Sequence, residues 1–117
     1  MQRIFRLKKN YEFERVYKKG KSSACKSLVL TYLSVKSGLK AGFSVSRKIG
    51  KAVVRNKVKR LMRENFRLLI PSIEQNYHYV FIARNGIETL SFNEIGRDIK
   101  YLLTKNNLLK SVETKNN

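Results

Sequence analysis

Basic residues between positions 48 and 66 are the densest group of functional side chains in this chain, and they could bind phosphate. Seven Lys or Arg side chains lie in this stretch, and Glu64 is its only acid. An arginine can donate two N–H groups to one phosphate, whereas a lysine acts as a point charge. The stretch therefore predicts a surface that binds a polyanion.

The charge is distributed unevenly along the whole chain. The net charge is +18, and residues 15–63 carry fifteen basic residues with no Asp or Glu. Solubility alone would be served by mixed signs spread over the surface. A block of one sign costs self-repulsion, so a nucleic-acid partner explains it better than a merely solvated face.

Residues that could catalyse a reaction are sparse. His78, the only histidine, lies in an apolar stretch and is predicted to be a packed or edge residue. Ser44 and Ser46 have no base nearby, and no cluster has metal-ligand spacing. The basic block also lacks a carboxylate for Mg²⁺. We therefore expect binding with no catalytic residue of the protein's own.

Features that the sequence lacks argue against a disulfide-bonded, secreted or membrane-spanning protein. The lone Cys25 excludes an internal disulfide and fits a reducing, cytoplasmic compartment. We find no secretory signal and no apolar run of 18 residues, so we expect no membrane partner. Residues 1–117 are predicted to form one domain that binds nucleic acid, with a flexible tail from about residue 107.

Helices and strands are predicted to form one small sheet with helices packed on it. The helices run from the Asn10 N-cap to Gly20, over residues 52–69 before Pro71, and from the Ser91–Glu94 capping box to about 105. The strands cover 24–36, 41–48 and 77–84, the first two as an antiparallel pair. The order is αββαβα with a possible extra short strand.

The predicted helix 52–69 has two faces. On a helical wheel, an apolar face collects Val54, Val58, Leu61, Met62, Leu68 and Leu69, with Asn65 among them. A cationic face collects Arg55, Lys59, Arg60, Arg63 and Arg67, with Asn56 inside it. A membrane-surface helix is disfavoured because the flanking strands need the apolar face for the core.

Aromatic residues favour RNA as the polyanion. A DNA-reading helix usually follows another helix across a short turn, whereas strands flank this one. Phe13 and Tyr17 share one face of the first helix and could stack unpaired bases, although Phe13 could equally be a core contact. The small Gly42, Ser44 and Ser46 would leave a shallow groove for a nucleic-acid strand, with Arg47 and Lys48 at one end.

Residues 44–64, SVSRKIGKAVVRNKVKRLMRE, resemble the signature of the bacterial ribonuclease P protein component. That pattern is S-V-S-(K/R)-K-x-G-x-A-V-x-R-N-(R/K)-x-K-R-x-x-R-E. Residues 7–10, 13 and 18–20 are similar to the family's first helix, and residues 82–84 to a later strand. The resemblance covers roughly residues 4–105.

The resemblance implies a function. It indicates the protein subunit of a ribonucleoprotein endonuclease whose RNA holds the Mg²⁺ and removes the 5′ leader from precursor tRNA. The implied partners are ribonuclease P RNA and precursor tRNA, and no DNA. A ribosomal or ribosome-assembly protein that binds structured RNA is the alternative.

The residues expected to contact RNA follow from the motif and from the basic stretch around it. The RNA-binding set is Arg47, Lys48, Lys51, Arg55, Asn56, Lys59, Arg60, Arg63 and Arg67, and the leader-cleft set is Phe13, Tyr17, Ser44 and Ser46.

The chain departs from the family pattern at two positions. Lys57 stands in the third place of the Arg-Asn-Arg core and loses the bidentate fork. Thr31 stands where relatives often have a cleft tyrosine, and Tyr32, one residue on, should face the other side of the sheet.

The resemblance also refines the fold class. It implies α+β, with about four strands and three helices in the order αβββαβα. A left-handed βαβ crossover is implied too, as in the second domain of ribosomal protein S5, whereas general rules would favour a right-handed one.

Overall fold

A computed structural model describes residues 5–110, with three helices and four strands. The elements are α1 (Asn10–Lys19), β1 (Lys21–Ala24), β2 (Leu28–Ser34), β3 (Lys40–Ser44), α2 (Ala52–Leu69), β4 (Tyr77–Ala83) and α3 (Phe92–Lys105). Their order is αβββαβα around a single sheet, which confirms the α+β class. The predicted strand 24–36 corresponds to β2, which begins only at Leu28, and β1 before it is the possible extra short strand.

The strands lie in the order β1-β2-β4-β3. β4 pairs antiparallel with β2 and parallel with β3, and α2 makes the connection from β3 to β4. The predicted pairing of the second and third strands with each other was therefore wrong. β4 is apolar and buried on both faces, so it takes the central position between them.

The two faces of the sheet carry separate apolar clusters. On one face, Tyr79 and Phe81 of β4 pack with α2 and α3 in the main core. On the other face, Val80 packs with Val16 of α1 and with Leu7. His78 lies on this second face with only 5% of its surface exposed, which confirms the prediction of a packed histidine.

The buried face of α2 is rotated from the predicted one. The buried residues are Val58, Met62, Asn65 and Phe66, whereas Leu68 is 58% exposed. With Val54 at zero, these four residues centre at about 65° on the wheel. The apolar face that we predicted included Leu68 and omitted Phe66. Because Phe66 is the larger side chain, its burial sets the rotation of the helix.

Side-chain hydrogen bonds fix the N-terminal ends of the first and third helices, and the N-cap of α1 is Lys9 rather than the predicted Asn10. The Ser91 hydroxyl accepts from Glu94 N at 3.2 Å and the Glu94 carboxylate accepts from Ser91 N at 2.9 Å, which confirms the predicted capping box. In α1 the Glu12 carboxylate accepts from the backbone N–H groups of Lys8 and Lys9. Both bonds lower the pKa of Glu12.

The first residues of the predicted flexible tail are packed against the core. Leu108 is 2% exposed, and Leu109 forms a β-bridge with Ile73. These contacts hold residues 108–109 against the core. The remainder of the predicted tail, residues 111–117, lies outside the described residues.

Replacing Asn65 with alanine should lower the free energy of unfolding by about 1–3 kcal/mol. The Asn65 amide donates to Leu61 O at 2.9 Å and to Phe92 O at 3.0 Å, and so joins α2 to α3. The variant leaves the Phe92 carbonyl without this donor. Urea unfolding measures the loss, with Asn56→Ala on the exposed side of α2 as the control. Equal stability of the two variants would show that Asn65 does not join the helices.

Candidate nucleic-acid interface

The outer side of α2 is a cationic face. Asn56, Arg60 and Arg67 are exposed, and Lys59 and Arg63 are half-buried along one edge. Within residues 5–110 the ion pairs are Lys40–Glu12 at 3.5 Å and Arg97–Asp98 at 3.8 Å, and neither involves α2. The charges of this helix are therefore available to an external anion.

The loop before α2 extends this cationic face. Arg47, Lys48 and Lys51 are exposed, whereas Ile49 between them is buried and anchors the loop. Arg55 Nε donates to the Gly50 carbonyl at 3.0 Å and ties the loop to the first turn of the helix. The loop thus places Arg47, Lys48 and Lys51 next to the N-terminal end of the cationic face.

A small cleft beside α2 adds two basic residues that were not in the predicted RNA-binding set, Arg6 and Lys8. With Lys59 and Arg63 they border a space of about 290 Å³ above Phe43. The segment before α1 runs beside β3, where Leu7 N donates to Ala41 O at 2.9 Å. That long-range pairing has no local sequence signal.

The electrostatics of this cleft favour an anion. Burial lowers the pKa of Arg63, and the positive charges of Arg6 and Arg60 lower it further, against a smaller opposing effect of Glu64. Arg63 remains charged because a guanidinium group is not deprotonated in proteins. A phosphate placed here would relieve the repulsion between these side chains.

Phe13 and Tyr17 line the predicted leader cleft between α1 and the sheet. Their ring centroids are 6.5 Å apart, and Tyr17 is 43% exposed. Burial raises the pKa of the Tyr17 phenol, and the nearby Ser44 side chain partly offsets this. The structure thus brings three of the four predicted cleft residues together. Ser46 lies past the end of β3, exposed at the start of the turn 47–49.

The floor of the cleft is not open along its whole length. The Phe13 ring covers Gly42, where an added Cβ would lie 2.5 Å from Phe13 Cζ. The predicted shallow groove is therefore filled directly above Gly42. Phe13 and Gly42 also line the cleft beside α2. Phe13 also packs against the cluster of Val16 and Val80, so it is in part a core residue.

Thr31 and Tyr32 take opposite faces of β2, as their spacing predicted. Thr31 is 2% exposed, and its hydroxyl lies 3.0 Å from that of Ser22. The Tyr32 hydroxyl donates to Asn106 Oδ1 at 3.0 Å on the α3 side of the sheet. Tyr32 is therefore not part of the α1 cleft.

Residues 5–110 hold no group of three or more His, Cys, Asp or Glu side chains that could bind a metal ion. In the same range, no helix combines the length and the apolar character needed to cross a bilayer.

Known proteins are similar to this chain over most of its length. The Ribonuclease P family model matches residues 1–107. A ribonuclease P protein component of Caldanaerobacter subterraneus is 44% identical over 115 residues, covering 96% of this chain and 97% of that protein. One from Clostridium kluyveri is 46% identical over 110 residues, covering 92% and 98%.

A solved structure agrees with these sequence matches. A Staphylococcus aureus RNase P protein mutant superposes with a TM-score of 0.84 at 34% identity, over 91% of each chain.

The contact between Gly42 and Phe13 gives a test of the cleft's geometry. Gly42→Ala should lower the free energy of unfolding by about 1–3 kcal/mol, because the new methyl group overlaps the ring. In a Phe13→Ala background the same change should have little effect, since the ring is gone. Urea unfolding of the four proteins measures this coupling, and additive losses would mean that Phe13 does not cover Gly42.

Proposed function

The chain belongs to the ribonuclease P protein family, and on that premise we propose that α2 binds the RNA subunit while the α1 cleft binds the 5′ leader of precursor tRNA. The observation that carries this proposal is the cationic face of α2, which has no acidic partner among the described residues. A face of this kind matches the regular phosphates of a folded RNA.

The choice of arginine and asparagine on α2 supports a structured RNA partner. Arg60 and Arg67 present planar forks that fit phosphate, and Asn56 on the same face can donate or accept. Lys57 is exposed and supplies charge without that fork. The half-buried Lys59 and Arg63 border the cleft with Arg6, so the RNA-binding surface continues toward α1.

The cleft under α1 suits a single strand. Tyr17 is exposed enough for a base to stack on it, and Ser44 lies beside it as a hydrogen-bonding group. A duplex would not reach ring faces recessed between a helix and a sheet, whereas an unpaired leader could. Phe13 forms the wall and also holds α1 on the sheet.

The chemistry of cleavage is assigned to the RNA subunit. We propose that this RNA holds the catalytic Mg²⁺ and that the protein side chains position the substrate, with the complex acting in the cytoplasm. Additional positive charge near the cleavage site would raise the affinity for the substrate. The alternative of a ribosomal or ribosome-assembly protein is not favoured, because the matched relatives carry the ribonuclease P name.

Reconstitution tests this proposal. The protein, ribonuclease P RNA and precursor tRNA are combined at low Mg²⁺, and 5′-leader release is compared with the reaction of the RNA alone. We expect faster release with the protein present. An unchanged rate, with the protein folded by circular dichroism, would reject the proposed role.

Arg60→Ala and Arg63→Ala should each weaken binding to ribonuclease P RNA and reduce its salt dependence. Each lost phosphate contact should lower the slope of log K against log salt by about 0.7–0.9. Filter binding from 50 to 400 mM KCl measures the slope, and Arg97→Ala on α3 serves as the control. Slopes equal to that of the control would mean that the two arginines remain solvated.

Tyr17→Ala should weaken binding of leader-bearing precursor tRNA by about fivefold or more, with mature tRNA unaffected. Tyr17 isolates the stacking role better than Phe13 does, because Phe13 also supports the core. The holoenzyme affinities for the two tRNAs measure the effect. Tyr11→Ala is the control, since Tyr11 is 69% exposed on the same helix. Equal losses for both tRNAs would remove Tyr17 from the leader site.

A further inference from the structure

A second aromatic surface lies on the sheet face opposite the α1 cleft. Tyr32 of β2 and Tyr77 of β4 are diagonal neighbours there, with ring centroids 6.1 Å apart and planes tilted by 52°. Both rings pack by one side on the main core and are partly buried. This surface lies at the start of β4, whereas Ser44 of the cleft pairs with Ile82 near the end of that strand.

The two rings are held in place before any ligand binds. The Tyr32 hydroxyl donates to Asn106 Oδ1, and the Asn106 amide in turn donates to Leu102 O at 2.7 Å. Tyr77 packs against Tyr79, with ring centroids 5.9 Å apart, and the Tyr79 hydroxyl donates to Glu74 O at 2.7 Å. A ligand that stacks on these rings would therefore lose little entropy to ordering them.

Beside the rings is a pocket with a basic rim. It has a volume of about 260 Å³ and is bordered by Lys19 and Lys21 as well as by the two tyrosines. Both lysines are exposed, and the described part of the lining includes no acid. The volume lies below the range of drug-sized ligand sites and suits one planar base.

The simplest account of Tyr32 and Tyr77 is that they only close the edge of the core. That account explains their inner sides but not the pocket beside them or its two lysines. Aromatic faces next to unpaired cations are the usual means of holding an unpaired nucleotide, whose base stacks while its phosphate meets the charge.

We propose that Tyr32, Tyr77, Lys19 and Lys21 form a second RNA subsite, which stacks one unpaired nucleotide outside the α1 cleft. The inference rests on the proposed RNA-binding function and adds a contact surface to it. Because the two tyrosine rings and the cleft lie on opposite faces of the sheet, the nucleotide can come from the RNA subunit or from the substrate. The chemistry of recognition is the same for both sources.

Tyrosine ring signals in the wild-type protein give the first test. The chain has six tyrosines, and NMR of ¹³C-labelled rings can follow each during titration with a short unstructured RNA. We expect Tyr32 and Tyr77 to shift with Tyr17 of the cleft, while the exposed Tyr101 stays unchanged. Shifts at Tyr17 alone would overturn the subsite, and no shift at any ring would count against the proposed function as well.

A pair of variants at one position gives the second test. Tyr77→Leu keeps an apolar side chain and removes the ring, whereas Tyr77→Phe keeps the ring. We expect Tyr77→Leu to weaken RNA binding by about fivefold or more and Tyr77→Phe to stay within about twofold of wild type. Thermal unfolding of both variants shows whether the core edge is intact, and Tyr101→Leu is the control.

The binding measurements also identify the source of the nucleotide. The affinity of the protein for ribonuclease P RNA and the affinity of the holoenzyme for precursor tRNA are measured separately. The RNA whose binding is weakened by Tyr77→Leu supplies the base. Wild-type affinity of Tyr77→Leu for both RNAs, while Arg60→Ala still weakens binding of ribonuclease P RNA, would overturn the subsite alone. Wild-type affinity of Arg60→Ala as well would reject the α2 role on which the subsite rests.

Discussion

The aromatic cluster around Phe66 is the contact that fixes how the basic helix faces its surroundings. The Phe66 ring lies 5.6 Å from the centroids of Tyr79 and Phe81 and 5.8 Å from that of Phe43. Tilted and edge contacts of this kind add about 0.5–1.5 kcal/mol each to the burial of apolar area. Because α2 is held in this rotation, Lys59 and Arg63 lie at the edge of the helix and border the cleft.

The same packing explains how a chain with a net charge of +18 can keep a helix of like charges. Repulsion between basic residues four apart costs a few tenths of a kcal/mol for each pair. Burial contributes about 0.8 kcal/mol for each CH₂ group, and Val58, Met62 and Phe66 are almost fully buried. The core thus stabilises a surface whose unpaired charge remains available for RNA.

Local signals in the sequence were sufficient for some parts of the structure and not for others. The Ser91–Glu94 capping box and the strand 77–83 could be predicted because neighbouring residues determine them. The sheet order could not, since the central place of β4 depends on pairings with segments far away in the sequence. The wheel assigned Leu68 rather than Phe66 to the core because it weighs positions and not side-chain volumes. Arg6 joins the site through a contact with β3 that no motif marks.

Directed cleavage of RNA from α2 tests the central claim most directly. In a Cys25→Ser background, an iron chelate is attached through Asn56→Cys, or through Tyr101→Cys on α3 as the control, and the reconstituted ribonuclease P RNA is mapped for strand breaks. We predict breaks clustered in one region of that RNA from position 56 and only background from position 101. Background cleavage from position 56 in a complex that still releases the leader would contradict the assignment of α2 to the RNA subunit.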